Sequence, residues 1–341
     1  MAKEKNKTND ERSRELSSFF KFFLMVQLVI GLIFLFNGWI KSNVGYDSIE
    51  ALGKGKSPGE TGKIPEIPSN RPPSIRPNNI QALKQDWTIP QPPADSIDFI
   101  NTLEKKIFDE SNRERTKRNL QPVTWEDYLA GTARYHSSDM GTKQFFSHIN
   151  PDNVGPFFRI AKLHRRYIGT GGENILKMTK TDSDPELLAQ KIVNTWMNST
   201  GHRQNLLDED YTTLGVGCVE ALDKNNTAFL YVTQLFGKPA AYLQRDFPTE
   251  LNKGQVETIA VESVNPVYLA AVSGEVVDLK TGKAEPFQLK PLTGTTTNQK
   301  VSTGNIKAPR QEGAYQLVFH FPLEKDPRTI SVIPGPIFSV K

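Results

Sequence analysis

The chain has one cysteine, Cys218, among 341 residues. A single cysteine cannot form an intramolecular disulfide, so the folded state must be stabilised by packing. Cys218 lies within the strand-like run 214–219, which indicates a small buried side chain rather than a reactive thiol. The thiol therefore gives no information about the cellular compartment.

The chain also lacks a strong excess of charge. Its 42 Lys and Arg residues are nearly balanced by 38 Asp and Glu residues, for a formal net charge of +4. The basic residues are dispersed, which excludes the basic footprint of a DNA- or RNA-binding protein. One local cluster, formed by Lys162, His164, Arg165 and Arg166, could meet anionic lipid or a cell-wall polymer, although the pattern favours a solvated helix face.

Long apolar runs are rare, and the one clear example lies near the N-terminus. Residues 22–36 are apolar except for Gln27 and Gly31. A helix over residues 18–40 would be roughly 30 Å long, enough to cross a bilayer core. Six Lys or Arg residues precede this run and three follow it before residue 57. The positive-inside rule then predicts a cytoplasmic tail over residues 1–17 and an extracytoplasmic location for the rest of the chain.

The competing interpretation of the apolar run is a cleaved signal peptide. Residues 37–41 offer no small-x-small cleavage site, which favours an uncleaved signal-anchor in the cell membrane. The following segment, 41–94, is rich in Pro, Gly, Lys, Ser and Asn, which predicts an extracytoplasmic linker without regular structure. In a polyproline II conformation it could hold the next domain on the order of 100 Å from the membrane.

Residues 95–240 combine helix and strand patterns. Apolar residues recur at helical spacing after Asp95 and Ser96, again after Thr124, and from Pro185 onwards. Strand-like runs occupy residues 214–219 and 229–236. The pattern predicts a layered α+β domain that ends near Pro239.

Seven short motifs follow one another through this region. In chain order they are Asn112 to Arg115, Leu120-x-Pro122-x-x-Trp125, Phe146-Ser147-His148-x-x-Pro151, Gly172-Glu173-Asn174-Ile175, Trp196-x-x-Ser199-x-Gly201-His202-Arg203-x-Asn205-Leu206-Leu207, Gly215-Val216-Gly217 and Tyr231-x-Thr233-Gln234-x-Phe236-Gly237. Together they resemble a bacterial CAP domain, also called the SCP or cysteine-rich secretory/antigen 5/pathogenesis-related domain. The resemblance covers residues 95 to about 239.

The resemblance implies a three-layer α-β-α sandwich with an open cleft that carries two histidines and two acidic residues. His148, Glu173 and His202 stand at matching positions. At the second acidic position this chain has Asn198 and Ser199, so the set is incomplete. The cysteines of many eukaryotic members are absent, so their disulfide-bonded extension is not expected here.

These three side chains allow several kinds of chemistry. His148 and His202 could hold Zn²⁺ or another divalent metal, with Glu173 as third ligand or as base to a bound water. Without metal, Glu173 and a histidine such as His202 could share a proton as candidate catalytic groups, but no motif places a Ser or Cys nucleophile beside them. Alternatively, Glu173 ties down its glycine loop and the histidines satisfy backbone groups. His136 is a secondary candidate on an apolar helix face, where a buried, hydrogen-bonded imidazole is expected.

Residues 241–341 change to short alternating runs separated by turns at 281–282, 293–294 and 334–336. This pattern predicts a small antiparallel β-sandwich of Ig-like size, with His320 on one face of a strand. No cluster of candidate ligands occurs in it, and a role in adhesion, spacing or assembly is expected.

Two hypotheses about function follow from the sequence. The first is a membrane-anchored extracytoplasmic protein whose His/Glu cleft binds an envelope polymer, lipid or protein. The second is a metal-assisted hydrolase that acts on an envelope peptide or polymer. The incomplete acidic set and the missing nucleophile favour the first.

Overall fold

The computed structural model describes residues 87–179, 183–264, 272–292, 301–323 and 326–341. The predicted tail, the predicted membrane anchor over residues 18–40 and most of the predicted linker lie outside these ranges. No helix within the described ranges is long and apolar enough to cross a membrane. All described residues belong to one compact unit, 63–341.

Five helices form in the first half of the described chain. The second is capped by Glu126, whose carboxylate accepts from the Leu129 amide, and the fourth by Asp184, which accepts from Glu186 N–H. Proline stands in the first turn of the third and fourth helices, where no intrahelical amide bond is lost. The helices are α1 (Ile97–Thr116), α2 (Asp127–Lys143), α3 (Pro156–Leu163), α4 (Pro185–Met197) and α5 (Thr200–Leu206).

A sheet separates these helices into two layers. Its strands are β1 (Thr124–Trp125), β2 (Tyr167–Thr179), β3 (Thr213–Leu222) and β4 (Ala228–Leu243). β4 pairs antiparallel with β2 and β3, and β1 pairs parallel with the start of β3. Alternate strand residues such as Val216 and Val232 pack with α1 and α4 around Trp196. The opposite face approaches α2 so closely that a Cβ at Gly217 would lie 2.0 Å from the Arg134 amide nitrogen. This arrangement is the predicted α-β-α sandwich.

The C-terminal strands form two layers, of which one continues the first sheet and the other is a second sheet. The strands are β5 (Glu250–Leu251), β6 (Val256–Ser263), β7 (Ser273–Asp278), β8 (Ala284–Gln288), β9 (Lys290–Pro291), β10 (Val301–Lys307), β11 (Gly313–Leu323) and β12 (Asp326–Val340). The end of β4 pairs with β6, with Leu243 opposite Val261, so β6, β10 and β9 continue the CAP-like sheet. The second sheet has the order β5-β12-β11-β7-β8. The two sheets share one apolar core. It contains Ile259 and Ile306 from the first sheet and Phe319 and Phe321 from the second.

An Ig-like topology for residues 241–341 is not confirmed. The sequence correctly predicts mostly antiparallel strands, but the turn predicted at 334–336 is wrong because these residues lie inside β12. In addition, β5 pairs parallel with β12, and one layer extends the first sheet. The physical reason is the length of β4, which runs beyond residue 239 and leaves Ala241 to Leu243 available for pairing with β6.

Residues that precede α1 are packed against the helices. The Trp87 indole stacks on the Tyr135 ring with a centroid distance of 4.9 Å, and it also contacts Phe158. The Ile89 side chain lies over Gly131, where an added Cβ would come within 2.8 Å of Ile89 Cδ1. The packed part of the chain therefore includes residues whose composition indicates a linker.

The basic cluster at the end of α3 is not a solvated helix face. His164 is 1% exposed and Arg165 is 8% exposed. The rings of Tyr128 and Tyr167 pack on the His164 imidazole, with Tyr128 stacked at 4.6 Å. The prediction of a solvated face is wrong because aromatic rings cover His164 and because Arg165 donates to carbonyl oxygens of the C-terminal region, including that of Ile337.

Candidate functional site

Glu173 is the centre of the candidate site and lies on β2. A Cβ at Gly171, two residues earlier, would be 2.1 Å from the Phe236 carbonyl oxygen, so only glycine allows β2 to pass β4 at this point. On the outer edge of the same strand, the Asn205 side chain donates to the Glu173 carbonyl at 3.0 Å. Strand pairing and this edge contact fix the backbone from which the carboxylate projects.

Both oxygens of the Glu173 carboxylate are engaged. Oε1 lies 2.8 Å from His148 Nδ1, and Oε2 accepts from Arg159 Nη2 at 2.7 Å. Arg159 is fully buried and also donates to the carbonyl oxygens of His148 at 3.1 Å and Val154 at 2.9 Å. The Glu173 side chain is only 2% exposed. Arg159 therefore neutralises the buried carboxylate and holds the backbone that carries His148.

The charge state of Glu173 follows from these neighbours. Burial raises the pKa of Glu173, but the opposing effects of Arg159, His136 and His148 are together larger and lower the pKa to about 2. Glu173 is thus an ionised acceptor at neutral pH. Because an ionised carboxylate only accepts, the proton of the shared hydrogen bond lies on His148 Nδ1. Glu173 orients an imidazole and does not supply a proton at neutral pH.

His136 lies deep behind this pair on α2. Its imidazole is fully buried, with Nε2 3.1 Å from the Ser147 carbonyl oxygen and 3.8 Å from Glu173 Oε1. Burial, with the positive charge of Arg159, lowers the pKa of His136 to about 3. In the neutral ring the Nε2 proton is donated to the Ser147 carbonyl, and Nδ1 has no hydrogen-bond partner among the described residues. His136 thus supports the loop that carries His148.

His202 approaches the site from α5. Its carbonyl oxygen accepts from Asn174 Nδ2 at 3.1 Å, and Asn205 Nδ2 donates to Asn174 Oδ1 at 3.0 Å. Burial lowers the pKa of His202 to about 4, and the charge of His148 acts in the same direction. The hydrogen bonds of Asn174 thereby connect the Gly-Glu-Asn and Gly-His-Arg segments. The lowered pKa means that His202 carries no charge at neutral pH.

The metal site that the sequence suggests stays a prediction. Within the described part of the chain, no group of three or more His, Cys, Asp or Glu side chains could hold a metal ion. Glu173 is already paired with Arg159 and His148. Asn198 and Ser199, at the second acidic position, form the end of α4 and the start of α5. With both oxygens engaged, Glu173 does not fit the role of third metal ligand beside His148 and His202.

Sequence reasoning missed Arg159, the residue that determines the charge balance of the site. A detectable signal was present, because Arg159 lies between Phe158 and Ile160 in a short helix that is otherwise largely apolar. A charged residue on a buried face requires a partner, and Glu173 is that partner. Asn174 and Asn205 were recognised only as parts of motifs, and their mutual hydrogen bond depends on the fold.

Comparison with known proteins identifies the matching segment. Residues 108–236 match the family model described as "CAP: Cysteine-rich secretory protein family". Two curated relatives come from Bacillus subtilis (strain 168). "Uncharacterized protein YkwD" is 39% identical over 122 residues, and "Uncharacterized membrane protein YlbC" is 36% identical over 116 residues. The matches cover 36% and 34% of this chain, and 44% and 31% of those proteins. The chain thus spans less than half the length of the curated relatives it matches.

Two solved structures are also similar to part of the chain. An extracellular protein containing an SCP domain from Bacillus anthracis str. Ames is 32% identical, with a TM-score of 0.36 and coverage of 44% of this chain and 45% of that one. An outer surface protein from Borrelia burgdorferi is 21% identical, with a TM-score of 0.32 and coverage of 40% and 92% respectively. On the family-model match and the curated bacterial relatives, residues 108–236 of this chain are a domain of the CAP, or SCP, family.

Proposed function

We propose that this chain is a membrane-anchored extracytoplasmic protein whose His/Glu cleft binds an envelope component, lipid or protein. His148 and His202 are the side chains that would contact the bound component. Glu173 and Arg159 would keep His148 in one tautomer and orientation. The relative YlbC is named as a membrane protein, which supports the anchored arrangement.

The observation that carries this proposal is the double engagement of Glu173 by His148 and Arg159. A general acid or base works best with a pKa near the operating pH, whereas the pKa of Glu173 is about 2. A carboxylate with this pKa is suited to orienting a histidine rather than to transferring a proton. This supports binding over turnover.

Binding is tested with the full chain in detergent micelles and washed cell-envelope fragments as the probe. We expect the double variant His148→Ala/His202→Ala to bind the fragments about tenfold more weakly in cosedimentation, which corresponds to about 1.4 kcal/mol. The control is His320→Ala, which removes a half-buried imidazole on β11. Equal binding by the wild type and the double variant would contradict the proposal.

The alternative function is metal-assisted hydrolysis of an envelope peptide or polymer. It requires stoichiometric metal in the purified protein and loss of activity in Glu173→Gln. Zn²⁺ titration calorimetry on the wild type and on His148→Ala/His202→Ala separates the two functions. A Zn²⁺ heat that depends on both histidines, together with hydrolysis of the fragments, would favour the alternative.

The predicted topology has a separate test. In intact cells, protease added from outside should digest residues 95–341 and leave the short tail 1–17 protected, because the positive-inside rule keeps that tail in the cytoplasm. Immunoblotting with antibodies to each end measures the result, and a cytoplasmic protein serves as the control for membrane integrity. Protection of the C-terminal part in intact cells would overturn the proposed orientation.

A further inference from the structure

One face of helix α3 packs against the C-terminal strands. Phe158 and Ala161, three residues apart, pack with Leu279 and Ile337 in one buried apolar cluster. Phe158 is 2% exposed and Ile337 is fully buried. The same cluster includes Trp87 from the segment before α1. This face of α3 is therefore held by residues outside the CAP match.

The remaining buried positions of α3 face the candidate site and the first sheet. Ile160 packs in a second cluster with Leu129, Tyr167 and Leu235. Arg159 projects to the Glu173 carboxylate and to the His148 carbonyl. The eight-residue helix thus lies between the C-terminal strands and the groups that fix Glu173 and His148.

Arg165 fastens the end of this helix to the C-terminal region. Its guanidinium donates to the carbonyl oxygens of Phe247 at 3.0 Å, Ile337 at 2.6 Å and Pro248 at 2.8 Å. Burial lowers the pKa of Arg165 to about 10, so the group stays charged at neutral pH. Charge-assisted hydrogen bonds to three carbonyls form a strong and directional contact. They connect the residues after α3 to β12 and to the segment that follows β4.

We propose that the C-terminal β region positions the Glu173–His148 pair through α3, with Arg165 and Ile337 as positioning residues and Arg159 as the group they place. The C-terminal strands are then part of the construction of the cleft. A shift of α3 by a fraction of an ångström changes the Arg159–Glu173 bond, because packed interiors transmit small displacements. The proposal does not depend on which component the cleft binds.

The test uses ring ¹⁵N chemical shifts of His148 and hydrogen exchange at the Asn174 amide, measured by NMR on the full chain. In Ile337→Ala and Arg165→Met we expect the His148 ring signals to move and the Asn174 amide to exchange roughly tenfold faster, a typical size for coupling between sites. The matched control is Leu317→Ala, which removes the same volume from a fully buried position in the other C-terminal cluster.

The outcomes separate positioning from general stability. If Ile337 had a purely structural role, Leu317→Ala and Ile337→Ala would have the same effect on the His148 ring signals. Amide exchange in both variants would then follow only global unfolding. Unchanged His148 signals in both Ile337→Ala and Arg165→Met would overturn the proposal, as would an equal response in Leu317→Ala. If Ile337→Ala does not fold, Ile337→Val removes one methyl group and is expected to give the same changes at smaller amplitude.

Discussion

Arg159→Met is expected to destabilise the protein by about 3 to 5 kcal/mol at pH 7, because it leaves the buried Glu173 carboxylate without its cationic partner. Arg159 is fully buried and Glu173 Oε2 accepts from it at 2.7 Å. The measurement is the free energy of unfolding from urea titration of the full chain. We expect part of the loss to be recovered in Arg159→Met/Glu173→Gln, since the double variant no longer buries an unpaired charge.

The pH dependence gives this prediction a second signature. In the wild type the pKa of Glu173 is about 2, below its usual 4.5, so its contribution to stability is present above pH 4.5 and is lost as the pH falls toward 2. Without Arg159, the largest effect that lowers the pKa of Glu173 is gone, so that pKa rises relative to the wild type. The difference between the folded and unfolded pKa of Glu173 is then smaller, so the variant loses less stability than the wild type as the pH falls from 4.5 toward 2.

The control for this experiment is Arg118→Met. The Arg118 guanidinium is exposed and donates to Glu114 at 2.7 Å, and Lys117 also pairs with that carboxylate. Exposed pairs of this kind contribute about 0 to 1 kcal/mol. An Arg159→Met variant that loses no more stability than Arg118→Met, with an unchanged pH profile, would show that Arg159 does not compensate the Glu173 charge.

Glu104→Leu is expected to cost about 3 kcal/mol or more, because Glu104 is the centre of a buried polar contact between α1, α2 and β3. Its carboxylate accepts from Arg134 Nε at 2.8 and 3.0 Å and from the Cys218 amide at 2.9 Å. β1 pairs only with Thr213 and Leu214 at the start of β3, so the Cys218 N–H lies on an open strand edge. Glu104 satisfies that amide and neutralises Arg134 at the same time.

A double-mutant cycle separates these two roles. Glu104→Leu/Arg134→Met removes both charges, and buried pairs replaced by apolar residues of similar volume are often neutral in stability. The remaining cost should then be that of the unsatisfied Cys218 amide, about 1 to 3 kcal/mol. We expect the double variant to be at least as stable as Glu104→Leu in urea unfolding. A loss equal to the sum of the two single variants would mean that Glu104 and Arg134 do not interact.

Three of the five described helices, α1, α2 and α4, could be predicted from the sequence because their signals are local. Apolar residues at helical spacing mark α1, where Ile100, Leu103 and Ile107 are all buried. Motif order brought His148, Glu173 and His202 into one proposed cleft. In the structure Glu173 contacts His148, and Asn174 donates to the His202 carbonyl.

The strand that carries Glu173 was less accessible to sequence reasoning. β2 spans Tyr167–Thr179 and contains three glycines, which are unfavourable in strand interiors and indicate a loop when considered alone. Only pairing with β4 and the close approach to Phe236 make a strand of this segment. The sequence therefore identified Glu173 as a candidate site residue, but it did not predict that Glu173 lies on a strand.

The sequence by itself determined the α+β class of the CAP domain and the absence of an intramolecular disulfide, since each depends on residue type and short-range spacing. Only the tertiary structure decided that Arg159 neutralises Glu173, that Arg165 is buried against Ile337, and that β6 continues the first sheet from β4. The physical reason is that each of these three features is a contact between separate segments of the chain. A residue's charge can be read from the chain, whereas its partner and its exposure are properties of the packed fold.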